Sequence, residues 1–180
     1  MTNIGYMPSP VGRLLLAEED GFLTGLWLDG QKHYAAGLGE AEENTSPALQ
    51  AAMGWLDAYF AGENPPVHLP LRPKGSAFSQ AVWQLLLHIP YGAAVTYGDL
   101  SARLSQMGIK ASPRAVGGAV GRNPISIIVP CHRVVGSGGS LTGYAGGTHN
   151  KIFLLRHEGL ALEGGRVKIC PCQEAAQTLK

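Results

Sequence analysis

Apolar and polar residues alternate along this chain with two different periods, one in each half. Between Ile4 and Leu28 short apolar runs are broken at Pro8-Ser9-Pro10 and at Glu19-Asp20-Gly21, which predicts a hairpin between Leu14-Leu15-Leu16-Ala17 and Phe22 to Leu28 in a small antiparallel sheet. From Ser46 the period lengthens. Leu49, Met53, Leu56 and Phe60 recur at helical spacing, with Ser46 as N-cap, Pro47 at the first helical position and Gly62 as the stop. This helix is expected to pack on the sheet. Residues 62–75, with Pro65, Pro66, Pro70 and Pro73, break both periods and read as a linker to a second domain.

Beyond the linker the pattern is helical. Phe78, Val82, Leu85, Leu86 and Ile89 form a stripe that Ser76 or Ser79 can cap and that stops at Pro90-Tyr91-Gly92. A second helix runs from Tyr97 to Met107 through Leu100 and Leu104 and ends at Gly108; a third begins at Ser112-Pro113 and reaches Gly121. The last two, joined by a glycine-containing turn, form a plausible helix-turn-helix. Ala115, Gly117, Gly118 and Ala119 leave the third helix almost without side-chain volume, so its smooth face serves either tight packing inside the protein or close approach to another surface. Residues 136–147 hold six glycines and read as a loop, either covering a ligand or merely connecting. Asn150 to His157 follows as a helix stopped by Gly159. Glu158 lies near its C-terminus, where the helix dipole disfavours a carboxylate, so a specific partner is expected, with His132 as the candidate. The fold class is α+β: an N-terminal domain over residues 1–71, the end of the linker at 72–76, a mostly helical domain over 77–162 and a tail over 163–180.

Candidate chemistry is concentrated in Asn123 to Val135. Ile125 to Val129 is apolar apart from Ser126 and is bracketed by Pro124 and Pro130, which predicts a short buried extended segment delivering Cys131 at the rim of the core. In Cys131-His132-Arg133 a thiol stands beside an imidazole and a guanidinium, surroundings that raise its thiolate fraction. Neighbours in an extended chain point to opposite sides, so a water is needed to relay a proton between Cys131 and His132. Taken alone, a Cys-His pair is more often an inert buried cysteine followed by surface residues.

Composition changes this picture little and charge changes it more. The 180 residues are 45% hydrophobic and 15% charged, as expected of a compact soluble protein. No signal peptide or membrane helix is recognisable, and three cysteines do not make a disulfide framework, so a cytoplasmic protein is expected. The net charge of +1 hides an asymmetry: residues 1–71 hold two basic and nine acidic side chains, whereas residues 72–135 hold seven basic and one acidic. That separation points to a polyanionic partner for the basic block.

The stretch Asn123-Pro124 followed by Pro130-Cys131-His132-Arg133-Val134 resembles the active-site motif of the O6-alkylguanine-DNA alkyltransferases, the methylated-DNA-protein-cysteine methyltransferases, of bacterial type. The resemblance continues, in order, through Thr96-Tyr97-Gly98-Asp99-Leu100, Arg114-Ala115-Val116-Gly117-Gly118-Ala119, Gly143-Tyr144-Ala145-Gly146-Gly147 and Leu154-Leu155-Arg156-His157-Glu158-Gly159. It implies irreversible, single-turnover transfer of a methyl or other alkyl group from O6 of guanine, and from O4 of thymine, to Cys131. His132 would act as base through a water, Glu158 would orient His132, Tyr97 would donate to the leaving base and Asn123 would order the site. Arg114, Ala115, Gly118, Tyr97 and Arg122 are the implied DNA contacts, with the smooth helix in the minor groove and Arg114 filling the gap left by a flipped base. Val134, Tyr144 and Ala145 are the implied base pocket, and backbone carbonyls of Cys131 and Val134 the acceptors for its exocyclic amine.

The implied partner is double-stranded DNA carrying O6-alkylguanine, met by a monomer with no cofactor and no membrane. Some relatives hold a structural zinc in the first domain, but residues 1–71 have no cysteine and only His33 and His68, so no metal is expected. Cys170 and Cys172 read as incidental thiols. Between Tyr97 and Arg114 the chain is longer than the family's usual spacing, so the turn around residues 106–110 must bulge. Three rivals remain: a lesion-binding protein that transfers nothing, a helix-turn-helix regulator, for which the second helix has few side chains to read bases, and a cysteine hydrolase.

Overall fold

Strands β1 (Thr2–Met7), β2 (Leu14–Glu19) and β3 (Phe22–Leu28) form the expected antiparallel meander. A fourth strand, β4 (Ala41–Glu43), joins the free edge of β1 in parallel, so the sheet is mixed, with order β3-β2-β1-β4. Its three residues have no alternation from which to read it. Every residue of β2 from Leu14 to Glu18 is buried because the sheet is covered on both faces. Leu15, Ala17 and Trp27 pack with Ile4, Tyr34, Ala35 and Leu38 on one side. Helix α1 (Pro47–Phe60) covers the other, where Gly5 leaves room for Met53 and Leu49. Ser46 caps α1 as expected, accepting from the Leu49 N–H, and the buried stripe is Leu49, Ala52, Leu56 and Tyr59, with Met53 and Phe60 at its margins. Buried Glu18 holds the β2–β3 turn by accepting from Asn3 Nδ2 (3.0 Å) and the Gly21 N–H (2.7 Å).

The computed structural model describes residues 1–169, which divide into two units. The first comprises Met1–Lys74 with Pro124–Ile128, and the second Gly75–Asn123 with the chain from Val129 onward. Two stretches expected to be linker or extended core are drawn into the first unit by backbone pairing. Leu23 exchanges bonds with the proline-rich segment, its N–H donating to Pro70 O (2.8 Å) and its carbonyl accepting from the Arg72 N–H (2.9 Å). Leu26 does the same with Pro124 O (2.8 Å) and the Ser126 N–H (2.9 Å). The expected extended run Ile125 to Val129 therefore pairs at a single bridge and then turns. Ile127, at φ +70°, closes a γ-turn in which the Ile128 N–H donates to Ser126 O (2.8 Å), a strained geometry for a β-branched residue.

In the second unit each helix start has a local reason. Ser76 caps α2 (Ala77–Leu86), Thr96 and Asp99 make a capping box on α3 (Tyr97–Gln106), and Ser112 caps α4 (Pro113–Gly121). Trp83 ties α2 to α4, its Nε1–H donating to Ala119 O at 2.9 Å. The longer α3–α4 turn leaves Met107 and Lys110 exposed, Gly108 sits at φ +81°, and the Ser101 hydroxyl donates back to Ala111 O. β5 (Val95–Thr96) and β6 (Val134–Val135) pair in parallel, bringing Tyr97 to the end of the Cys131 turn. Helix α5 (Thr148–His157) begins two residues earlier than its periodicity suggests. The tail contributes a hairpin of β7 (Leu162–Glu163) and β8 (Arg166–Val167), whose Val167 joins Val135, Leu141 and Leu155 in a core cluster. Cys170 and Cys172 lie outside the described residues.

Candidate active site

Pro130 (φ −82°, ψ 64°) makes a second γ-turn, the Cys131 N–H donating to Val129 O at 2.8 Å. Cys131–Arg133 then forms one 3₁₀ turn in place of the expected extended chain, because Pro130 O accepts from the Arg133 N–H (3.0 Å). This turn buries three polar side chains in succession. Cys131 is a free thiol that burial pushes up from its ordinary range. A hydrogen bond with Asn123, the charge of Lys151 and the backbone N–H groups of Cys131 and His132 work against that rise and favour the thiolate.

His132 is fully buried with its Nε2 2.6 Å from Oε1 of Glu158, the partner predicted from the sequence. Burial would raise the Glu158 carboxyl, but His132 and then Arg133 outweigh it and hold the group well below the usual carboxylate range. An anionic Glu158 can only accept, so Nε2 carries the proton and Nδ1 keeps its lone pair. That Nδ1 is buried and has no hydrogen-bond partner in the protein. Burial lowers the affinity of His132 for a proton, Glu158 opposes this, and Arg133 and Lys151 add to it, leaving the imidazole below its ordinary range. The balance thus favours the neutral ring, oriented at one nitrogen and open at the other.

Asn123 is buried and also donates through Nδ2 to Val129 O at 2.8 Å, which fixes the chain just ahead of the thiol. Tyr97 Oη donates to Thr142 O at 3.2 Å; burial, then proximity to Cys131, raises its phenol from the ordinary range. Tyr144 is half-buried, yet its hydroxyl oxygen is enclosed and unpartnered. Burial, then Cys131 and Glu158, push it well above the ordinary range, so it stays a donor. Ala145 is half-buried beside it. The two carbonyls expected to meet the base already accept once each, Cys131 O from the Val134 N–H and Val134 O from Lys151 Nζ (2.5 Å), leaving each a second lone pair.

Two site residues escaped the sequence reasoning. Lys151 is 1% exposed, donates to Val134 O and to Thr142 O (3.1 Å), and burial lowers it to about 8 despite the opposing influence of Cys131. It ties β6 to the glycine-rich loop and places a cation near the thiol. Its position three and four residues before buried Leu154 and Leu155 was the available signal, since that spacing puts it on the helix's inner face. Arg133 was read only as charge near the thiol. Its Nε and Nη2 instead grip Glu158 Oε2 (2.8 Å) and Oε1 (3.0 Å).

The α3–α4 pair presents what remains of the basic block. Arg72 and Lys74 pair with Asp20 and Glu19 in the first unit, and Arg133 is buried on Glu158. Arg103, Lys110, Arg114 and Arg122 are left, none with an ion pair among the described residues. Arg114 and Ala115 are exposed on α4, while Val116, Ala119 and Val120 face the core. An added Cβ at Gly117 would lie 3.7 Å from the Tyr97 ring, at Gly118 3.4 Å from an Arg122 guanidinium nitrogen, and at Gly121 in open space. Packing within the protein therefore does not demand these glycines.

The same two stretches match families described in functional terms. Residues 4–73 match the ribonuclease-like domain of 6-O-methylguanine DNA methyltransferase and residues 77–160 its DNA-binding domain. Methylated-DNA–protein-cysteine methyltransferase of Mycobacterium leprae is 45% identical over 158 residues, covering 88% of this chain and 93% of that protein. The Haemophilus influenzae protein of the same name is 43% identical, covering 85% and 84%. Among solved structures, Mycobacterium tuberculosis OGT in complex with DNA aligns with a TM-score of 0.75 at 40% identity, over 87% of this chain and 92% of that one.

Proposed function

Since the chain belongs to the O6-methylguanine DNA methyltransferase family, we propose that it repairs O6-alkylguanine in DNA by transferring the alkyl group irreversibly to its own Cys131. The observation that carries this is a buried thiol one residue from an imidazole whose Nε2 is locked on an anionic carboxylate and whose Nδ1 is unengaged. Nδ1 takes the thiol proton through a bridging water, following the logic of a catalytic triad with a water inserted. The sulfur then bonds to the alkyl carbon as the carbon–O6 bond breaks, and the electron pair passes to the purine. Tyr97 turns its hydroxyl from Thr142 O and passes its proton to the departing base, so guanine leaves neutral, and the proton taken up by His132 restores the phenol. The product thioether has no good leaving group, and one molecule repairs one lesion.

The reacting carbon lies inside a duplex, so the nucleotide must be turned out of the stack at a cost of a few kcal/mol. Helix α4 lies in the minor groove, its smooth face allowing backbone approach, and Arg114 fills the gap. The extruded base enters between Tyr97, Val134, Tyr144 and Ala145, where the Tyr144 hydroxyl and the remaining lone pairs on Cys131 O and Val134 O await partners. O4-alkylthymine offers the same carbon–oxygen bond and is a second substrate. No described helix is long and apolar enough to cross a membrane; the protein acts as a monomer in the compartment that holds the DNA, taken to be the cytoplasm.

Intact-protein mass after incubation with a duplex carrying O6-methylguanine tests the assignment. One added methyl is expected, saturating at one per protein whatever the excess of DNA; binding without mass gain would make this a lesion-recognition protein. Two further results bear on the interface. With four free cations on α3–α4 rather than the seven counted in residues 72–135, log affinity against log salt should fall with a slope of roughly −3 to −4. A flat response would remove phosphate contact from the picture. Gly118→Gln should weaken DNA binding at least tenfold, about 1.4 kcal/mol, without lowering thermal stability, because glycine is a poorer helix former than glutamine by roughly half a kcal/mol. Unchanged affinity would move the groove contact elsewhere.

A further inference from the structure

We propose that Arg133 is a positioning residue that keeps His132 neutral, and so able to accept the Cys131 proton, by sharing the charge of Glu158 through a two-pronged ion pair. This rests on the assignment of Cys131 as nucleophile and His132 as its base. A buried carboxylate alone at 2.6 Å from an imidazole nitrogen would favour the imidazolium, whose two nitrogens are both donors. Such a pair would orient His132 well and leave it unable to take a proton. Glu158 is not alone with it.

Arg133 follows His132 in the same 3₁₀ turn, so the backbone delivers both side chains to one carboxylate. Nε donates to Oε2 at 2.8 Å and Nη2 to Oε1 at 3.0 Å, the fork-on-carboxylate arrangement that a guanidinium makes and an ammonium cannot. Nη1 donates to Ile89 O at 2.6 Å and the group stacks 5.8 Å from the centre of the Tyr91 ring, which fixes the fork from behind. Oε1 thus serves His132 and Arg133 together. The other titratable groups around the pair are Lys151 on α5, Cys131 in the turn, and Tyr91 and Tyr144, whose phenols burial pushes upward with Glu158 among the further causes. Around His132 the charge of Glu158 is opposed by those of Arg133 and Lys151, and the imidazole lies below its ordinary range with burial as the largest cause.

Single-turnover methyl transfer measured from about pH 5.5 to about pH 9 in wild type, Arg133→Gln and Arg133→Lys separates this role from simple ion pairing. In wild type the rate should show no loss from His132 protonation at neutral pH. In Arg133→Gln it should fall towards tenfold for each pH unit below a raised histidine midpoint and level off above that midpoint. Arg133→Lys, which keeps the charge and loses the fork, should keep the wild-type profile at a lower rate. Nitrogen-15 NMR of wild-type His132 should show the neutral, Nε2-protonated ring at pH 7. An imidazolium in that spectrum, or an Arg133→Gln rate lowered by one constant factor at every pH, would overturn the proposal. Should Arg133→Gln fail to fold, the wild-type spectrum and the lysine profile decide. Absence of transfer in wild type would instead refute the assigned chemistry, while His132 spectra of wild type and Arg133→Lys would still report whether the imidazole is neutral beside that cation.

Discussion

Cys131→Ala is expected to abolish alkyl transfer completely while lesion binding stays within about threefold, less than 1 kcal/mol. The distinction follows from what the side chain touches. Sγ is buried at the end of the Pro130 turn and its hydrogen-bonding neighbours do not depend on it: Asn123 keeps Val129 O, and His132 keeps Glu158. Deleting one buried sulfur should cost on the order of 1 kcal/mol of stability, too little to disturb α4 or the base pocket. The chemistry has no substitute at this position, since a soft thiolate is the group that displaces a purine oxygen from an alkyl carbon. Intact mass and a binding isotherm on the same preparation check both halves. A methyl still gained by the alanine variant would mean that another group, Cys170 or Cys172 included, is the acceptor.

The helices were legible in the sequence because their signals are local. Ser46, Ser76 and Ser112 each cap an N–H three residues on, and the prolines after Ser46 and Ser112 mark the first turn, so nothing distant is needed to place these starts. Pairing between distant segments left no such mark. Pro70 to Arg72 and Pro124 to Ser126 bond to Leu23 and Leu26, and proline content alone made the first look like linker. The Glu158–His132 pair was readable because a carboxylate at a helix C-terminus demands an explanation, whereas Arg133 offered none until the turn showed both side chains on one carboxylate. Charge counting misled for a related reason: a sum over residues 72–135 cannot tell Arg133, spent inside the protein, from Arg114, free on the surface.

A residue that orients a base and anchors an internal cation should, when neutralised, damage rate and stability together, and Glu158→Gln is expected to do so. The glutamine is nearly isosteric and still accepts once, but Arg133 is left without a counter-charge, and the Gly92 N–H that donates to Oε2 at 3.1 Å must compete for what remains. Breaking a buried pair on one side costs about 3–5 kcal/mol. Transfer should slow by roughly 10²–10⁴, the usual scale for an ill-placed acid–base group. Acidity supplies an internal control. The carboxyl is held well below the usual range, so the stability it contributes is fully present above its unfolded value of about 4.3 and is lost as pH falls towards the depressed folded value. The melting temperatures of wild type and Glu158→Gln should therefore differ most above about pH 5 and converge on acidification as the wild-type carboxylate is protonated. A gap that stays constant with pH would mean that shape rather than charge is what Glu158 supplies, and a variant with the wild-type rate would remove it from the proton relay.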